Sequence, residues 1–249
     1  MIRILVSSDW HADASTAGHE RFADVEVAVD ETVEAAVQQR CTHYLFLGDL
    51  CDPDETRSHR AVALALRTAL RLADHGIASH WIVGNHDVVE DGHRSHTLLA
   101  LKALEGEVPL KCSVHDGPTI ARLDDRPDGR VALVALPYTP RSHAYDPEDF
   151  IRRSDTFGIR CQHVVVAGHL NLAGITPGSE TDDMPRGREV FFPIQACREV
   201  FGDRAVLLNG HYHRGQVYEG VHVPGSLERL TFGEAGHTPG WLILEVDDG

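Results

Sequence analysis

Ile2-Arg3-Ile4-Leu5-Val6-Ser7-Ser8-Asp9-Trp10-His11 opens the chain, and the fold is read outward from it. Ile2 to Ser7 has the composition of a buried strand, and it runs into a polar tip, Asp9-x-His11. In extended chain residues i and i+2 point the same way, so Asp9 and His11 can offer ligand atoms to one side. The pattern recurs. His43 to Leu47 is a second apolar run and ends in Gly48-Asp49. Ser79 to Val83 ends in Gly84-Asn85-His86-Asp87, His163 to Ala167 in Gly168-His169, and Ala205 to Asn209 in Gly210-His211-Tyr212-His213. Five predicted strands therefore stop at groups able to bind a metal ion. Open α/β sheets bind ligands beyond the carboxyl ends of their strands, so the five tips can converge.

Helical patterns lie between these runs. Phe22, Val25, Val29, Val33 and Val37 recur at steps of three and four, the stripe of an amphipathic helix. A second helix is expected from Arg57 to Ala73 with Val62, Leu66, Ala69 and Leu70 inward, and a short third from Ser95 to Leu104. Val131 to Leu136 reads as a further strand. After Asn209 the pattern turns β-rich, with short strands expected at Gln216 to Tyr218, Val221 to Val223, Leu227 to Phe232 and Trp241 to Val246. Strand–helix alternation followed by a β-rich end predicts an α/β protein whose sheets pack together with helices outside. Asn171 to Arg188 is a long irregular stretch of the kind that forms lids. With no internal repeat and no linker, residues 1–249 read as a single domain.

Composition narrows the function. Apolar residues make up 42% and charged residues 24% of 249, enough to bury a sizeable core. No window approaches the ~20 consecutive apolar residues of a membrane helix, and the first residues form a strand pattern in place of a leader. Five cysteines without a C-x-x-C pair fit free thiols in a reducing cytoplasm. The net charge of −15 excludes coating of nucleic acid through a broad basic surface, while leaving room for a local positive site. Only Lys102 and Lys111 are lysines.

Taken singly the motifs are weak, because D-x-H or G-D arises by chance and N-H-D can cap a helix. Together they supply Asp9, His11, Asp49, Asn85, His169, His211 and His213. Seven oxygen and nitrogen donors with no thiolate exceed one tetrahedral zinc and suit two first-row divalent ions. Asp49 is the natural bridge, since a carboxylate has two oxygens to share. The two carboxylates leave two divalent cations with excess positive charge, a pocket suited to phosphate. His43, His59, His75, His80 and His96 read as surface or packing residues.

D-x-H, G-D-x-x-D, G-N-H-D, G-H and G-H-x-H in this order resemble the calcineurin-like metallophosphoesterase superfamily. The resemblance implies a four-layer αββα sandwich. It implies one metal on Asp9, His11, Asp49 and His213, and the other on Asp49, Asn85, His169 and His211. His86 corresponds to the catalytic histidine, Asp52 to the carboxylate that orients it, and Asp87 to a structural position. Val6-Ser7-Ser8-Asp9-Trp10-His11 and Val223-Pro224-Gly225-Ser226-Leu227-Glu228-Arg229-Leu230-Thr231-Phe232-Gly233-Glu234 are similar to the SbcD-type DNA-repair exonucleases. That branch pairs with a coiled-coil SbcC-like ATPase and is commonly dimeric. Its full-length members continue into a DNA-capping domain and an ATPase-binding tail, and no counterpart of either follows Val246, so a phosphoesterase domain without them is expected.

The leading expectation is a phosphodiesterase with two divalent metal ions, manganese first and magnesium, iron or zinc as alternatives, acting on DNA as a nuclease. Arg141, Arg214 and Arg229 are candidates to hold phosphates. The competing readings are a phosphodiesterase for cyclic nucleotides or other small diesters, and a scaffold without catalysis.

Overall fold

The computed structural model describes residues 1–52, 58–89, 95–107, 110–124, 130–139, 141–154, 161–176 and 190–246, with the side chain of Arg141 excepted. Two sheets form its centre. The first contains β1 (Ile2–Ser7), β4 (His43–Phe46), β5 (Ala78–Ile82), β6 (Cys112–His115) and β13 (Leu242–Val246), in the order β13-β1-β4-β5-β6. Only β13 runs antiparallel to its neighbour, Ile2 facing Val246. The second sheet contains β7 (Thr119–Arg122), β8 (Val131–Leu136), β9 (His163–Gly168), β10 (Ala205–Asn209), β11 (Gln216–Tyr218) and β12 (Val221–Val223), in the order β11-β12-β10-β9-β8-β7. Its four middle strands are parallel. A small hairpin, β2 (Ser15–Thr16) and β3 (His19–Glu20), stands apart.

Helices cover both outer faces. α1 (Phe22–Gln38), α2 (His59–Asp74) and the one-turn α3 (Leu99–Lys102) lie on the first sheet; α4 (Pro147–Ser154) and α5 (Ile194–Phe201) lie on the second. The strands explain the layering. Leu5, Tyr44, Phe46 and Trp81 point to α1 and α2, while Ile4, Val6, Leu45 and Ile82 alternate to the other face and meet Leu133, Ala135, Val165 and Ala167 of the second sheet. The αββα arrangement follows. Among the described residues no helix is long and apolar enough to cross a membrane, and the five cysteines are buried without a disulfide.

Several expectations are corrected. In α2 the buried stripe is Ala61, Leu64, Ala65, Thr68, Ala69 and Leu72, whereas Leu70 is exposed and Val62 and Leu66 are half-buried. The run Val62-Ala63-Leu64-Ala65-Leu66 carries two overlapping stripes. Packing selects the one richer in alanine. The helix starts at His59 because the Ser58 hydroxyl accepts from Ala61 N; Arg57 lies outside the described residues. The Ser95–Leu104 helix shrinks to Leu99–Lys102. Leu227 to Phe232 is not a strand: its bonds are made by side chains, Ser226 Oγ to Glu228 O, Thr16 Oγ1 to Leu230 O and Leu230 N to Glu234 Oε2. β6, β7, α4 and α5 were not read from the sequence. Of the Asn171–Arg188 loop only 171–176 is described; Asn171 bridges to Phe191.

Candidate metal centre

The parallel ladders continue past the strands and carry the loops in register. Asp9 N donates to Gly48 O at 3.0 Å, His11 N to Asp49 O at 3.1 Å, and Gly210 N to Gly168 O at 2.9 Å. The two sheets thus present their carboxyl ends to one place. Asp9 (φ 51°), His11 (φ 41°), Asp49 (φ 61°) and His211 (φ 75°) all adopt the left-handed region. Side chains other than glycine sit there at a cost of roughly 1–3 kcal/mol each, and such strain concentrates at functional sites. Glycine is required by space at Gly48, Gly84 and Gly210. Gly48 has φ 103°, and a Cβ on it would meet His169 Nδ1 at 2.5 Å; a Cβ on Gly84 would meet Asp49 Oδ1 at 2.1 Å.

The structure brings together all nine candidate side chains. Asp9, His11 and His213 offer ligand atoms within 4.8 Å of one another, as do Asp49, His169 and His211, and as do His11, Asp52 and His86. Asn85 Oδ1 lies 2.9 Å from His169 Nε2. Asp49 Oδ2 sits centrally, 3.1 Å from His169 Nε2, 3.8 Å from His11 Nε2 and 3.9 Å from His86 Nε2. Asp49 Oδ1 accepts from His86 N at 3.0 Å. Asp52 groups with both His11 and His86, its Oδ1 3.5 Å from His11 Nδ1. Asp13 Oδ1 accepts from Asp52 N at 2.6 Å and fixes that loop. Arg214 and Arg229 are exposed, and Arg229 Nε donates to His237 O.

Two supports escaped the sequence reading in their detail. The buried Asp87 carboxylate accepts from Asp49 N, Leu50 N, Gly84 N and the Thr97 hydroxyl, so it ties the Gly48 and Gly84 loops together. Glu234 Oε1 lies 2.8 Å from His213 Nδ1. No local pattern marks that pair, because the partners are 21 residues apart.

Electrostatics follow from burial among mixed charges. Burial alone would lower His11 and His169, but the carboxylates of Asp52, Asp49 and Asp9 beside His11, and of Asp49 and Asp9 beside His169, draw each up to about 9. Burial would raise Asp49, yet His169 and His86 hold it well below the usual carboxylate range. Asp9 goes up, burial being the main cause. His211 is pushed down to about 3 by burial and then by His169. Burial also lowers His86.

The donor set fits a pair of divalent cations. His169 Nδ1 is 2.6 Å from Leu47 O and donates to it, which leaves Nε2 as the ring nitrogen facing two oxygens, Asn85 Oδ1 and Asp49 Oδ2. His213 Nε2 and His11 Nε2 face each other at 3.1 Å. Asp9 Oδ2 and His211 Nδ1 are buried without a hydrogen-bond partner. Buried acceptors converging in this way need a cation between them.

Comparison with known proteins agrees. Over its whole length the chain is 25% identical to the SbcD component of the SbcCD nuclease of Escherichia coli strain K12, and over 99% of its length 28% identical to exonuclease subunit 1 of Enterobacteria phage T4. It spans 66% and 65% of those proteins. A dimetal phosphatase from Danio rerio shares the fold with a TM-score of 0.53 at 13% identity, over 91% of this chain and 88% of that one. The TT1561 protein of Thermus thermophilus has a TM-score of 0.53 at 15% identity, over 91% and 90%. The calcineurin-like phosphoesterase description matches residues 2–215. With the fold, the paired clusters and this match in agreement, the chain belongs to the calcineurin-like phosphoesterase family and is a metal-dependent phosphoester hydrolase.

Proposed function

We propose that residues 1–249 form a single phosphodiesterase domain that cleaves DNA at a binuclear centre. The observation that carries this reading is the central place of Asp49, whose Oδ2 lies within 3.9 Å of His11, His86 and His169. Asp9, His11, Asp49 and His213 would hold one ion, and Asp49, Asn85, His169 and His211 the other. When bound, such a pair lowers the pKa of water and polarises the phosphoryl oxygens; manganese suits these ligands, with magnesium, iron and zinc as alternatives.

The chain's own groups do the rest. His86 borders the centre, and its burial favours the neutral form. A phosphate anion beside it raises its proton affinity, so its N–H can hold the scissile phosphate and protonate the leaving oxygen. Asp52 faces both His11 and His86, steadying the first as a ligand and favouring the protonated form of the second. Asp87 and Asp13 keep the loops that bear Asp49 and Asp52 in place.

Support for DNA as substrate comes from the SbcCD nuclease component and the phage exonuclease subunit that the chain resembles along its length. An SbcC-like ATPase partner, a homodimer and a cytoplasmic location belong to the same reading. The net charge of −15 favours the second reading, a phosphodiesterase for cyclic nucleotides or other small diesters. Incubation with manganese on linear DNA, cyclic nucleotides and bis(p-nitrophenyl) phosphate separates the two. DNA degradation is expected; intact DNA alongside turnover of the small diesters rejects the nuclease assignment.

A further inference from the structure

We infer that Glu234 is a positioning residue of the metal centre: its carboxylate takes the Nδ1 proton of His213 in a hydrogen bond and so leaves Nε2 as the lone pair aimed at the Asp9–His11 cluster. Glu234 is only 1% exposed. Its Oε1 is 2.8 Å from His213 Nδ1, and its Oε2 accepts from Leu230 N at 2.6 Å. The backbone around it is closed on itself, with Glu234 N donating to Thr231 O at 3.1 Å and His237 N to Glu234 O at 2.8 Å. The carboxylate is therefore held by its own turn and has a defined direction in which to present Oε1. On the far side of the ring His213 Nε2 lies 3.1 Å from His11 Nε2 and groups with Asp9.

A neutral imidazole carries its proton on one nitrogen, and the bond made by one nitrogen decides the role of the other. A carboxylate at Nδ1 fixes the tautomer, sets the ring plane and makes Nε2 a stronger donor to a cation. The turn that bears Glu234 lies beyond the last histidine motif, outside the three clusters of ligand atoms. It reaches the centre through His213. The competing account is that Glu234 only closes the turn through Leu230 N.

The inference rests on the metal-centre reading, and one set of measurements separates the two. Metal-stripped wild type, Glu234→Gln and Glu234→Ala are compared by long-range 1H–15N spectra of the His213 ring, well above the ordinary imidazole pKa, and by calorimetric titration with Mn2+. Wild type should show the proton on Nδ1; Glu234→Gln has a single amide oxygen for the two donors that the carboxylate serves, His213 Nδ1 and Leu230 N, and should hold that proton less completely. Glu234→Ala should shift the proton toward Nε2 and weaken one of two Mn2+ sites by about 10–100-fold, with Glu234→Gln falling between Glu234→Ala and wild type. Glu234→Ala that binds two ions as tightly as wild type overturns the role of Glu234 while the centre stands, even if its melting temperature falls. Wild type that takes up no Mn2+ overturns the centre and the inference with it. Should Glu234→Ala not fold, the wild-type spectrum still decides: a proton on Nε2 rejects the inference.

Discussion

Two groups of histidines share this protein and differ in their company. At the strand ends His11, His169, His211 and His213 are buried among Asp9, Asp49 and Asp52. On the inward face of the first sheet His43, His80 and His115 stack ring on ring, with centroids 5.6 and 5.5 Å apart, and His80 Nδ1 lies 3.3 Å from His115 Nε2. His80 and His115 are as well buried as the ligands, at 7% and 4% exposure. Burial pushes His80 well below its ordinary value and His115 down to about 4, whereas carboxylates pull His11 and His169 up to about 9. Burial lowers all four, and at His11 and His169 the neighbouring carboxylates outweigh it, whereas His80 and His115 have no such surplus of negative charge; His211 stays low at the metal centre because burial and His169 act together.

The comparison can be broken most sharply at Asp49, the carboxylate common to both halves of the site. Asp49→Ala should lower turnover roughly 10⁴-fold and reduce the bound metal, measured by plasma mass spectrometry, below two ions per chain. Retention of two ions would contradict the bridge. His86→Ala should keep its metal and lose about 10²–10⁴-fold in turnover, since it serves proton transfer. Wild-type activity at wild-type metal content would remove it from the mechanism. Gly84→Ala forces a Cβ to 2.1 Å from Asp49 Oδ1, and the displaced carboxylate should weaken metal binding by about 10–100-fold, read by calorimetry. Unchanged affinity would show that the loop yields without cost.

The smallest effect on turnover belongs to the other group. His115 has a folded value of about 4 against 6.5 when unfolded, with burial and Lys102 lowering it and Asp116 raising it. Between those values the unfolded chain binds more protons, so stability rises with pH across the window and is lost as pH falls, by about 3 kcal/mol in all. His115→Asn, whose amide can still reach the Thr119 hydroxyl 2.6 Å from Nδ1, should flatten urea-unfolding stability between pH 4 and 6.5 and leave turnover unaltered. An unflattened slope would mean that the ladder is not what titrates.

Legibility in the sequence was uneven for physical reasons. β1, β8 and β10 were read with their full bounds, and β4, β5 and β9 to within a residue, because buried parallel strands are continuous apolar runs that end abruptly in polar tips. α4 and α5 were missed. Each is only eight residues long, too short to repeat an apolar stripe, and in α4 two acidic residues and two arginines crowd Phe150 and Ile151. The phase of α2 was misjudged because alanine and leucine alternate along it, and only contact with Tyr44 and Trp81 distinguishes its faces. Among the site residues the nine side chains could be named from strand-end motifs, but that Asp52 faces His11 as well as His86, on a loop tied by Asp13, is a matter of the assembled loops.

The order of residues alone settled which side chains reach the strand ends, since a period of two and a run of apolar residues are local properties of the chain. It also settled the donor chemistry, oxygen and imidazole nitrogen without sulfur. What only the assembled sheets decided is who faces whom. Asp49 became central, Glu234 came to touch His213 across 21 residues, and His80 was placed among imidazoles in place of the carboxylates that would have charged it. Such pairings depend on register and crossing of distant strands, and Coulomb forces at a few ångströms have no counterpart in spacing along the chain.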